Sequence, residues 1–290
     1  MSAIEQEVAS QPAVWLEAGL LDTDGLLPPR GARVAAIGCG TSLYIAQAYA
    51  AAREAGGHGE TDAFPASEIP AGRAYDAVLA ISRSGTTTEV LDAVADAGRR
   101  TRTVAVSAVT GSPLAQAVSR AVLLPFADER SVVQTRFATA ALVVLRAHLG
   151  TDPGEAAAAA ARILDQPLPV EPDAYERFHF LGRGWTVGLA SEAALKLREA
   201  ARAWSEAYPA MEYRHGPIAL ADEQTLVVAI GDIDAALLAD VRATGATVLD
   251  PEPEPLASLV LAHRFAIALA HARGLDPDNP RNLTRSVVLP

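Results

Sequence analysis

The sequence predicts an α/β protein made of two doubly wound parallel sheets in tandem. Three observations predict it. Short apolar runs alternate with helical patterns at about the spacing of βαβ units. Two of those runs end in a glycine turn of the form G-x-G that opens a helix, at Gly38-Cys39-Gly40 and at Gly182-Arg183-Gly184. The second half of the chain also repeats the order of the first: Phe178-His179-Phe180-Leu181-Gly182 echoes Val34-Ala35-Ala36-Ile37-Gly38. A repeat of this kind reads as a duplication, and it puts the expected ligand cleft between the halves or at their strand ends.

The elements follow in order. Residues 3–20 read as a helix with a break at Pro12, and Pro28-Pro29-Arg30-Gly31 is a turn. The run 33–37 enters Gly38-Cys39-Gly40-Thr41-Ser42 and a helix that stops at Gly56-Gly57, the unit that receives phosphates in open parallel sheets. The next strand, 76–81, runs into Ser82-Arg83-Ser84-Gly85-Thr86-Thr87-Thr88-Glu89 and a helix ending near Gly98. A third strand covers 102–106, and a short helix follows Gly111-Ser112-Pro113. The fourth strand is 121–124. From Ser131 a long helix is expected to reach about Leu149, and residues 154–164 form another. The proline-rich connector 165–172 divides the chain into an N-terminal subdomain, 1–165, and a C-terminal subdomain, 173–290. In the latter, residues 182–220 read as a glycine turn, a long helical pattern and a closing Tyr213-Arg214-His215-Gly216-Pro217. Strands at 225–230 and 246–249 alternate with helices at 233–243 and 256–273.

Composition limits the partners. The 290 residues are half hydrophobic and a fifth charged, with a net charge of −11. An acidic chain has no electrostatic footprint for nucleic acid or anionic membrane, so an anionic metabolite would have to be held by local donors. Cys39 is the only cysteine, which excludes an intramolecular disulfide and a cysteine-based zinc site. The histidines show no ligand spacing, so neither a metal nor a cofactor is expected. The N-terminus lacks a signal-peptide pattern and no apolar run approaches membrane-spanning length, so a cytoplasmic location is expected.

Two stretches carry chemistry. Residues 82–87 place four hydroxyls around a glycine between a strand and a helix start. A helix cap needs one hydroxyl, and Glu89 could complete a capping box. Four hydroxyls beside open helix amides make a neutral phosphate cradle, which Thr41 and Ser42 can extend. No P-loop lysine and no third dinucleotide-type glycine follow the first turn, which argues against nucleotides. In the second stretch, Glu192, Lys196 and Glu199 stand at i, i+4 and i+7 on one face of a helix that is otherwise apolar nearly all round. A solvated charge stripe is the plain alternative. However, Lys196 is the only lysine beside twenty-three arginines, and a helix apolar on every side is expected to be buried, where charges need partners or a task.

These residues resemble the sugar isomerase (SIS) domain proteins, in the branch containing the isomerase half of glucosamine-6-phosphate synthase. The resemblance spans nearly the whole chain. Residues 38–42 are similar to the family's first loop, 82–87 to its S-x-S-G-x-T phosphate loop, 129–135 to E-x-x-V-x-x-T and 192–199 to E-x-A-L-K-L-K-E. Residues 212–217 are similar to E-x-x-H-G-P and 279–283 to x-P-R-N-L. The resemblance implies two SIS-type, flavodoxin-like α/β/α subdomains and a sugar phosphate as ligand. It implies phosphate held by Ser82, Ser84 and Thr87 with Thr41, and sugar hydroxyls met by Gln134 and the backbone near Val132. Glu199 would move a proton between C1 and C2, with Lys196 and its companion Glu192 beside it. His215 would open the sugar ring of the neighbouring subunit's substrate, so a homodimer is implied. Nothing in the resemblance covers the synthase's glutaminase domain, and ammonia transfer from glutamine is not expected.

One position departs from the family. Its tail carries a lysine able to engage the open-chain carbonyl, and Arg285 stands there. Arginine forms no Schiff base. The expected activity is isomerisation or deamination of an amino-sugar 6-phosphate by proton transfer next to the carbonyl. A lyase or dehydratase acting on an N-acylated amino-sugar 6-phosphate such as N-acetylglucosamine 6-phosphate is the alternative. A non-catalytic sugar-phosphate sensor is the second alternative.

Overall fold

The structure, a computed structural model, describes residues 1–251 and 254–289. Its chain forms two compact units, and neither is a single run of sequence. A five-stranded unit takes residues 13–129, 134–153 and 284–290, and a four-stranded unit takes 1–12, 130–133 and 154–283.

The five-stranded unit is built on β1 (Val34–Gly38), β2 (Thr61–Pro65), β3 (Ala77–Ile81), β4 (Arg102–Ser107) and β5 (Arg120–Leu123). All pairs are parallel, in the order β2-β1-β3-β4-β5. The residues of β1 and β3 are buried throughout, as strands covered on both faces must be. Alternate residues of these strands, Ala35, Ile37, Val78 and Ala80, pack with Val90, Ala93 and Val94 of helix α4 (Thr88–Ala97). On this sheet α3 (Thr41–Ala55) lies against α6 (Arg136–His148). Trp15 is fully buried in this unit, with its indole Nε1 donating to Thr139 Oγ1 at 2.9 Å. The strand order reverses direction between β1 and β3, so the loops after those two strands open at the switch point where open α/β sheets bind ligands.

The four-stranded unit repeats the plan with β6 (Arg177–Gly182), β7 (Trp204–Pro209), β8 (Thr225–Ile230) and β9 (Thr247–Leu249), parallel and ordered β7-β6-β8-β9. Helix α8 (Thr186–Ala201) packs on α10 (Pro255–Ala272), which also meets α7 (Gly154–Asp165). Among the described helices, α10 alone has the length and apolar character to cross a membrane, contrary to the expectation that no such run exists. It is 72% buried in this unit, the pattern of a core helix.

Four element expectations are corrected. The helical reading of 182–220 ends at Ala201, where Arg202 turns left-handed (φ 50°), and edge strand β7 follows. Strand β2 occupies the matching edge of the first sheet and was not expected from the sequence. The helix expected from Ser131 starts at Arg136. The N-terminal helix breaks at Ser10 instead of Pro12, giving α1 (Ala3–Ala9) and α2 (Gln11–Gly19), with Pro12 accommodated in the first turn of α2.

Candidate functional site

In the five-stranded unit, β3 ends at Ile81 and the hydroxyl-rich loop begins at once. Gly85 adopts φ +64°, and a Cβ there would stand 2.3 Å from Ser112 Oγ, so the tight turn requires glycine. Gly85 N donates to Ser82 Oγ at 3.2 Å and Thr86 N to Ser84 Oγ at 3.2 Å. Thr87 is the N-cap residue of α4, yet its side chain makes no capping bond, and no capping box forms with Glu89. The hydroxyls therefore serve something other than the cap. Thr41 and Ser42, the first residues of α3, are buried beyond the other loop at the switch point.

Arg83, in the same loop, is engaged with charged and main-chain partners. It is 1% exposed and pairs with the equally buried Glu129, Nη1 to Oε2 at 3.6 Å. Glu129 Oε1 in turn accepts from Thr135 N (2.7 Å), Thr135 Oγ1 (3.0 Å) and Arg136 N (2.7 Å). This carboxylate shapes the turn that carries Gln134, whose Oε1 is buried without a hydrogen-bond partner. Arg285 joins the same group. Its guanidinium donates to the Glu129 carbonyl and the Asp128 carboxylate, while Arg83 Nη2 donates to the Arg285 carbonyl at 3.1 Å. Arg285 thus anchors the tail, and its charge is committed to Asp128.

The four-stranded unit holds the charged stripe. Lys196 is 1% exposed and Glu192 fully buried, while Glu199 keeps 19% of its side chain accessible. The ammonium lies 2.6 Å from Glu199 Oε2 and 3.3 Å from Glu192 Oε1. Burial opposes its charge, but the two carboxylates outweigh burial and hold the Lys196 pKa above its ordinary value. Glu199 is the accessible member, fixed by a charge-assisted hydrogen bond.

Val132 lies in this unit, with its N–H donating to the Asp278 carbonyl at 3.1 Å. Asp278 also receives Ala3 N and Ile4 N at 2.8 and 2.7 Å, and Glu7 receives Arg130 N at 2.6 Å. These bonds draw residues 130–133 out of the helix expected there. His215 lies on a 3-10 turn (Ala210–His215) and is exposed. Behind it, Tyr213 is fully buried, with its hydroxyl 2.7 Å from His179 Nδ1. Burial pushes the His179 pKa down and the Tyr213 pKa up, which favours the neutral form of both. The structure thus gathers Ser82, Ser84, Thr87 and the Thr41–Ser42 turn at the strand ends of one sheet, and Glu192, Lys196 and Glu199 on one helix of the other unit. His215 makes no hydrogen bond or ion pair with Glu199.

Sequence reasoning missed the anchoring roles of Arg83, Glu7 and Asp278, and it missed the second strand of each sheet. A signal for those strands was present. Asp62-Ala63-Phe64-Pro65-Ala66-Ser67-Glu68 and Glu206-Ala207-Tyr208-Pro209-Ala210-Met211-Glu212 are near copies. They occupy matching registers, with Gly38 opposite Pro65 and Gly182 opposite Pro209.

Two parallel sheets, each opening on a strand, glycine turn and helix, define a tandem SIS-type α/β fold. The chain's structural neighbours are phosphosugar enzymes, and its homologues are the isomerase (SIS) domain of the glutamine–fructose-6-phosphate aminotransferases. One such relative, from Methanothermobacter thermautotrophicus, is 30% identical over 89% of this chain and 52% of its own length. Another, from Thermus thermophilus, is 31% identical over 94% and 55%. The chain spans about half the length of the curated relatives it matches. No protein-family model matches it. Among solved structures, glucosamine-6-phosphate deaminase from Thermotoga maritima superposes with a TM-score of 0.85 at 27% identity, covering 99% of this chain and 100% of that one. Tagatose-6-phosphate ketose/aldose isomerase from Escherichia coli shares the fold, with a TM-score of 0.80 at 21% identity over 99% and 96%.

Proposed function

We propose that the chain is a phosphosugar isomerase or deaminase, and that its substrate is an amino-sugar 6-phosphate. The observation that carries the reading is the ion pair between accessible Glu199 and buried Lys196. A base that takes a proton from carbon beside a carbonyl must be oriented and within reach of substrate. Glu199 has both properties, because Lys196 holds one carboxylate oxygen and the side chain remains partly open. The hydroxyls of Ser82, Ser84, Thr87 and Thr41 would take the phosphate without a net positive field. The unpartnered Gln134 Oε1 supplies an acceptor for a sugar hydroxyl, with the Val132 main chain as a second contact. The glucosamine-6-phosphate deaminase neighbour, which matches the chain end to end, supports the amino-sugar substrate.

Arg285 argues for chemistry without an imine at that position, since its guanidinium forms no Schiff base and is bound to Asp128. The same enolising proton transfer can begin elimination from an N-acylated amino-sugar 6-phosphate, which keeps a lyase as the second reading. We place the protein in the cytoplasm, where sugar phosphates are metabolised.

The test is a panel of hexose and hexosamine 6-phosphates read by mass change and ammonia release, with wild type beside Glu199→Gln. Ammonia or a ketose indicates the first reading, and a dehydrated, ultraviolet-absorbing product the second. Glu199→Gln should lower turnover by at least about a thousandfold while substrate binding persists. Near-normal turnover in that variant would show that Glu199 is not the base. Binding without turnover of any member by the wild type would indicate a sensor.

A further inference from the structure

The tail of the five-stranded unit brings one more hydroxyl to the loop 82–87. Ser286 Oγ lies 2.9 Å from Thr86 Oγ1, 3.1 Å from Ser84 Oγ and 3.4 Å from Thr87 Oγ1. Both sides of this serine are tied to the unit. Arg285 holds Asp128 and the Glu129 carbonyl. On the other side the Val287 carbonyl accepts from Thr88 N at 3.2 Å, and Leu289 N donates to Thr88 Oγ1 at 2.9 Å.

We propose that Ser286 is a phosphate-contacting residue, a part of the phosphate cradle that the C-terminal tail supplies. The proposal rests on the reading of residues 82–87 as a phosphate site. The plain alternative is a tail serine that caps helix α4. The structure speaks against it, because the Val287 carbonyl, a main-chain group, takes the Thr88 amide. Among the described residues, Ser286 Oγ bonds only to the three loop hydroxyls. Four hydroxyls bonded to one another are a weak arrangement on their own, since each carries one proton and every bond is neutral. A phosphate changes their use. Its oxygens are acceptors only, so each hydroxyl can rotate its proton toward the anion and form a charge-assisted bond. Ser286 is held to the loop by its neighbours' contacts, so little ordering remains to be done when the anion arrives.

The experiment measures the Kd of inorganic phosphate, of a hexosamine 6-phosphate and of the unphosphorylated hexosamine by calorimetry, using the full chain. Wild type, Ser286→Ala and Ser286→Thr are compared, with circular dichroism confirming that each is folded. Ser286→Ala should weaken both phosphate ligands by about tenfold and leave the unphosphorylated sugar unchanged, and Ser286→Thr should recover most of the loss. If wild type binds both phosphates and Ser286→Ala binds them within about twofold of it, Ser286 is not a contact, and the loop reading stands without it. Tighter binding by Ser286→Ala would overturn the proposal by showing that the tail hydroxyl obstructs the cradle. If wild type binds neither phosphate ligand, the phosphate reading of the loop fails, and this proposal with it.

Discussion

His263 shows how one buried ring sets a pH limit on the fold. It lies on α10, 1% exposed, with Nδ1 3.1 Å from Gln11 Nε2. The amide donates, so Nδ1 accepts and Nε2 carries the proton, where it has no partner. Burial, helped by the positive charge of Lys196, pushes the His263 pKa down to about 3. The sign follows from which state takes the proton first. In the unfolded chain an ordinary histidine protonates near pH ~6.5, while the folded chain keeps His263 neutral well below that. The contribution to stability is therefore complete above pH ~6.5 and is lost progressively as the pH falls toward 3, at about 1.4 kcal/mol per pH unit. By pH 5 the loss is about 2 kcal/mol. Urea unfolding of wild type and His263→Gln at pH 7 and pH 5 tests this, since the variant should lose about 2 kcal/mol less between the two conditions. An equal loss in both proteins would show that another group carries the acid sensitivity.

The duplicated element is the strand, glycine turn and helix, and its geometry predicts paired mutational effects. A Cβ on Gly38 would stand 2.5 Å from the Ser42 carbonyl carbon, and one on Gly182 would stand 2.4 Å from the Thr186 carbonyl oxygen. In both places backbone is the obstacle, so the helix must lift from the strand. Gly38→Ala and Gly182→Ala should each cost about 1–3 kcal/mol in denaturant unfolding. Gly40→Ala meets no atom within 4 Å, and only its φ of 55° resists, so it should cost less, about 1 kcal/mol. Equal losses at Gly38 and Gly40 would show that backbone conformation, and not the close approach, is the constraint.

The same element explains what could be read in advance. Central strands such as Val34–Gly38 and Ala77–Ile81 are buried on both faces and read as unbroken apolar runs, and the stripe Glu192, Lys196, Glu199 depends only on helical spacing. The edge strands were obscured because Asp62, Pro65, Glu206 and Pro209 make them look like loops. Residues 131–135 look helical by composition, yet Glu129 claims the amide of Thr135, and Glu7, from elsewhere in the fold, claims that of Ser131. Ser286 was illegible for the same reason, since about two hundred residues separate it from the hydroxyls it meets.

At the scale of the whole molecule, the surroundings of His215 bear on how many chains make a site. The 3-10 turn that carries His215 is anchored from behind by Tyr213, which is fully buried with its hydroxyl against His179. His215 itself faces outward with no hydrogen bond or ion pair to any described residue, and Met211 and Leu220 beside it are each 51% exposed. An exposed histidine near exposed apolar side chains is compatible with a site shared between two copies, and a twofold interface would present it reciprocally. We propose that each site joins Glu199 of one subunit with His215 of a second copy. Glu199→Gln and His215→Asn chains should each be inactive as homodimers. Dissociated, mixed in equal amounts and reassociated, half of the dimers would be mixed, and one of the two sites in each mixed dimer would hold both intact residues. About a quarter of wild-type activity should return. A mixture that remains inactive, while light scattering shows that subunits have exchanged, would place Glu199 and His215 at work within a single chain.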